Sequence, residues 1–136
     1  MSLLRDAAQG FARHPLATIL TTSQHPMHVH GHNMQILSSG LGYWDGTITN
    51  PENPARRDTW ALPPLGYSVF QWNLTNTGVW PFHCHIAWHT SEGMLINFIE
   101  GDVQNDLEIP SVMAQTCRDW SAWTGDHVVN IIDSGL

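Results

Sequence analysis

The sequence contains no lysine, and its five arginines face twelve carboxylates, for a formal charge of −7 with histidine neutral. A chain with that balance is a poor partner for nucleic acid or an anionic membrane. Only two cysteines are present, too few for the disulfide framework of a small secreted scaffold. No apolar run approaches the roughly 20 residues that span a bilayer. Residues 16–20 are too few for the apolar stretch of a secretory signal, and no small-residue cleavage site follows them, so no signal peptide is expected in this chain. Internal repeats and low-complexity runs are absent. Charged residues are sparse at 12%, while tryptophan is abundant at seven; that pairing excludes intrinsic disorder and favours an aromatic-rich β-fold. The 136 residues suit one domain large enough for a real core.

What the sequence has in place of charge is histidine, nine in all, and most of it is in two motifs. The first is His25-Pro26-Met27-His28-Val29-His30-Gly31-His32. The second runs from Trp80 through His83-Cys84-His85 to His89 and Met94. Two imidazoles and a thiolate in a plane with a weak axial thioether are the ligand set of a blue-copper site. A zinc site closes with four ligands, and these motifs carry too many donors for one tetrahedral ion.

Alternation divides the donors. In a strand, successive side chains point to opposite faces. Cys84 therefore faces one way, while His83 and His85 face the other. His28 and His30 form a second same-face pair.

The two motifs resemble the C-terminal cupredoxin domain of a multicopper oxidase, specifically an ascomycete laccase-like enzyme. Residues 53–59 (Asn-Pro-Ala-Arg-Arg-Asp-Thr) and the terminal Asp133-Ser134-Gly135-Leu136 share in the likeness. The resemblance implies an all-β fold, a cupredoxin Greek-key β-sandwich with a C-terminal helix. It divides the chain into a lead-in at 1–22 and the cupredoxin domain at 23–136. It implies copper as cofactor, with a complete type 1 site at His25, Cys84, His89 and Met94. His28 would serve a type 2 copper and His30, His83 and His85 a type 3 pair, both only partly supplied by this chain. His32 would not be a ligand. The catalytic residues implied are Cys84, His83, His85 and His89. They would couple one-electron oxidation of a phenolic or aromatic amine substrate to reduction of dioxygen to water. The remaining histidines would come from N-terminal cupredoxin domains that this chain lacks, and the full-length family member would be secreted. A single-domain blue-copper electron carrier and an inactive truncation product are the alternatives. Cys117 would pair with the first domain in such an enzyme; read from its own residues it is either an interdomain thiol or a buried free one. The tail 133–136 would plug a solvent channel.

Elsewhere, strands are expected over residues 17–22, 33–38, 59–62, 67–75, 79–85 and 94–100. Residues 1–15 read as helix or loop. Pro26 is expected at a bulge or edge. Residues 39–57 form a long Gly/Pro-rich connection, and Arg56-Arg57-Asp58 is either an ion-pair cluster that anchors it or a solvated turn. Trp44 and Trp60 suit packing better than a substrate pocket. Asn73-Leu74-Thr75 is a glycosylation sequon inside an expected strand. Ile109, Met113, Cys117, Trp120 and Trp123 recur at helical spacing after Pro110, which predicts a helix packed on the sandwich or on a neighbouring domain.

Overall fold

Alternation of buried and exposed side chains sets the architecture. The computed structural model describes residues 11–19 and 22–126. Their order is β1 (Phe11–Ile19), β2 (His25–Val29), β3 (Met34–Leu41), β4 (Arg56–Arg57), β5 (Thr59–Leu62), β6 (Gly66–Asn73), β7 (Gly78–Cys84), α1 (Ala87–Ser91), β8 (Leu95–Glu100), α2 (Val103–Asp106) and α3 (Ser111–Asp126). The strands form two four-stranded antiparallel sheets, ordered β1-β6-β3-β4 and β5-β2-β7-β8. Met34, Ile36, Phe70 and Trp72 from the first sheet meet Val29 from the second, with Trp60, Phe82 and Phe98 packed on them. The aromatic rings contact edge-to-face, Trp72 on Phe98 at 5.2 Å and Phe70 on Phe82 at 6.0 Å between centroids, the geometry their quadrupoles favour. The result is the β-sandwich expected from the sequence.

Several expectations need correction. Residues 11–15 are strand, not helix or loop: β1 pairs with β6 from Phe11↔Asn73 to Ile19↔Gly66, with a bulge between Pro15 and Ala17. An edge strand tolerates that proline. Pro26 lies inside an interior strand, paired with Ala61, not at an edge or bulge. Its carbonyl accepts from His85 N–H at 2.7 Å, just beyond the Met27↔Cys84 pair where the ladder with β7 begins; the bond a proline cannot return falls at the very end of that ladder. Arg56 and Arg57 pair with β3 as a two-residue strand, and their guanidiniums donate to Asn53 Oδ1 and the Arg56 carbonyl instead of closing an ion-pair cluster. Asn73 is the exposed last residue of β6, so Leu74 and Thr75 of the sequon lie beyond the strand.

The helix predicted near the C-terminus is α3, but it does not pack on the sandwich. From 111 to 125 only Ala114 and Thr124 are even half-buried, and Cys117 is exposed, not a buried thiol. The tail 133–136 lies outside the described residues.

Candidate metal centre

Register between β2 and β7 builds the site. Met27 stands opposite Cys84 and His28 opposite His83. Side chains directly opposite across a ladder share a face, so Cys84 joins the interior with Met27 while the two imidazoles share the outer face. Met27, Leu62 and Cys84 form a small buried cluster, with Ile86 and Met94 packed against it.

The inner set assembles from three elements. His25 enters at the head of β2, Cys84 at the end of β7, and His89 from α1. Cys84 is completely buried, and His25 and His89 are 2% and 8% exposed. Cys84 Sγ lies 3.6 Å from His25 Nδ1 and 3.5 Å from His89 Nδ1. One donor atom from each residue lies within 4.8 Å of the others. The imidazole rings face each other at 4.7 Å, tilted by 31°. Burial, then the nearby His89, pushes the His25 pKa below its ordinary value, which favours the neutral imidazole. Met94 is fixed by backbone bonds: Cys84 N–H donates to its carbonyl and its own N–H donates to His89 O, both at 3.0 Å. A buried thiol, two converging imidazoles and an adjacent thioether suit a soft, borderline metal.

The outer set is His28, His30, His83 and His85. His30 Nε2 and His83 Nε2 approach to 3.0 Å. Ring centroids of the set lie 4.8 to 5.7 Å apart. Burial, then the neighbouring His28, His83 and His85, lowers the His30 pKa. Backbone carbonyls select the tautomers. His83 Nδ1–H donates to Cys84 O at 2.9 Å, and His28 Nδ1–H to Asp58 O at 2.9 Å with Thr59 Oγ1 equally near. Each bond puts the proton on Nδ1 and the lone pair on Nε2, the arrangement ligating histidines use; in His83 that Nε2 faces His30.

His32 stands apart from both sets. Its Nδ1–H donates to the His30 carbonyl at 3.0 Å, and its Nε2 lies 2.8 Å from Glu100 Oε2. The parts that Glu100, Asp58, Thr59 and Thr90 play beside the histidines escaped sequence reading. Thr59 could have been found, because His28↔Thr59 is a register pair of β2 with β5.

The family model for multicopper oxidases matches residues 16–104. The chain belongs to the multicopper oxidase family. Laccase-1 of Botryotinia fuckeliana is 41% identical over 117 residues, 82% of this chain and 21% of that enzyme. The crystal structure of the laccase from Botrytis aclada superposes with a TM-score of 0.64 at 34% identity, over 83% of this chain and 22% of that one. Fet3p, a multicopper oxidase that functions in iron import, gives 0.62 at 28%, over 85% and 25%. This multicopper oxidase chain thus spans about a fifth of the length of the relatives it matches. Its two sheets have the cupredoxin fold of those neighbours, its relatives are copper oxidoreductases, and its family implies copper. No helix among the described residues is long and apolar enough to cross a membrane.

Proposed function

We propose that this chain is the C-terminal, copper-binding domain of a laccase-like oxidase, and that His25, Cys84, His89 and Met94 hold a type 1 copper. In the same reading His28 serves a type 2 copper, and His30, His83 and His85 a type 3 pair. The observation that carries it is the two-faced placement of donors along β2 and β7 and their flanks, with His89 from α1: three converge inside and four cluster outside. An electron carrier needs only the inner set, and nothing in its task calls for His28, His30, His83 and His85.

Copper would supply one-electron oxidation of a phenolic or aromatic amine substrate at the inner set and dioxygen reduction at the outer one. The chain's own part is positional. Burial keeps water from the thiol. The Cys84 carbonyl accepts from His83 Nδ1–H, so the inner thiol and an outer imidazole are joined by both the backbone and a hydrogen bond. The outer set is open to a surface where N-terminal cupredoxin domains would add the missing ligands. In the full-length, secreted protein those domains would complete the oxygen-reducing centre.

Metal stoichiometry tests this. The isolated chain should bind about one copper tightly, with the blue thiolate-to-copper charge-transfer band, and show negligible oxygen consumption. Cys84→Ser should abolish the colour. Dioxygen turnover by rigorously monomeric protein would sink the assignment of a half-built outer site.

A further inference from the structure

The helix that delivers His89 is too short to hold itself. α1 has five residues, and its N-cap Ile86 supplies no side-chain cap; helices well under about 12 residues are marginal without tertiary support. The next residue, Thr90, supplies a link back to the strand. Its hydroxyl donates to the carbonyl of Cys84, and its oxygen lies 3.4 Å from His83 Nδ1. His83 Nδ1–H donates to that same carbonyl. One backbone oxygen therefore receives a donor from α1 and a donor from the outer face. It belongs to the residue whose thiol lies 3.5 Å from His89 Nδ1.

We propose that Thr90 is a positioning residue, a hydroxyl latch that holds α1, and with it His89, closed over Cys84. The bonds of the Cys84 amide to Met94 O and of the Met94 amide to His89 O close the ends of this loop. Thr90 closes its middle. The hydroxyl has one proton, and the proton goes to the carbonyl; its lone pairs are left facing the His83 N–H. Losing it frees the middle of the loop without removing any metal donor. The inference rests on reading His25, Cys84 and His89 as the copper site, yet its consequence is visible without metal, because an open α1 exposes a thiol that is otherwise fully buried.

The test uses the full 136-residue chain, reduced and metal-free, with a chromogenic thiol reagent under native conditions. Exposed Cys117 supplies an internal fast phase and buried Cys84 the slow one. Thr90→Val should accelerate the slow phase about tenfold, the factor expected when a local opening loses one partly buried hydrogen bond. That rate should change little with low urea, as for local opening and unlike global unfolding. Thr90→Ser, which keeps the hydroxyl, should stay within about twofold of the parent. An unchanged slow phase in Thr90→Val, or an equally fast one in Thr90→Ser, would overturn the latch. If Thr90→Val does not fold, Thr90→Ser decides: parental protection supports the hydroxyl, and a tenfold loss refutes it. A chain that keeps this pattern but never turns blue would leave the latch standing and reject the copper reading instead.

Discussion

Replacing Gly31 by alanine should be among the most damaging single-methyl changes in the chain. Gly31 turns the backbone between His30, which faces outward, and His32, which returns to the Glu100 pair. Its φ is +70°, and an added Cβ would lie 2.6 to 2.8 Å from three atoms of the Trp80 ring. Neither side yields easily. Trp80 Nε1–H donates to Asn76 O at 2.6 Å, Asn76 Nδ2 in turn donates to the Gly31 carbonyl at 3.1 Å, and the His32 ring abuts the indole edge-on at 5.7 Å. The left-handed backbone costs an alanine about 1–2 kcal/mol, and overpacking adds about 1–3 kcal/mol. The expected loss of about 2–5 kcal/mol is a large share of a typical domain's ~5–15 kcal/mol. Gly42 is the control, because its φ is +74° and its Cβ position is open. Gly42→Ala should lose only the backbone part, about 1–2 kcal/mol. Urea unfolding followed by tryptophan fluorescence measures both. If the two variants agree within about 0.5 kcal/mol, the Trp80 wall does not constrain this turn and the reasoning fails.

Met94→Leu should raise the reduction potential of the copper-loaded protein, since a thioether favours the oxidised metal; redox titration of the blue band showing no change or a fall would remove Met94 from the ligand set. The metal-free protein should gain stability as pH rises towards neutrality. His25 and His30 have folded pKa values below the ordinary 6.5, so between those values and 6.5 the unfolded chain holds more protons. Stability climbs through that window and levels off above it, and a urea midpoint higher at pH 5.5 than at pH 7.5 would contradict this.

Much of the site could be read from spacing because strand alternation is a local property. His83-Cys84-His85 alone fixes which donors share a face, and β5 at Thr59–Leu62 falls where its residues placed it. Elements held by partners were harder to read. α1 is too brief to show a period, yet it carries His89. β1 extends across Arg13-His14-Pro15, a stretch without a strand signature, because β6 supplies a template. Pro26 misled because an interior strand can still have a vacant ladder position where its neighbour ends. The periodicity of α3 correctly announced a helix, but periodicity names an apolar face and not what covers it, and the exposed Trp120 and Trp123 stack on each other at 5.3 Å.

The Met27↔Cys84 register ties the fates of the two donor sets together. Without a compensating bulge, one residue added ahead of His83 in β7 would exchange the faces of the thiol and its flanking imidazoles, and one added between His25 and His28 would put His25 on the face of the outer pair. Point substitutions can tune either set alone, whereas a change of length in either strand alters which of its donors share a face. The connection between β3 and β4 carries no donor of either set, so a change of length there leaves the register of both strands untouched.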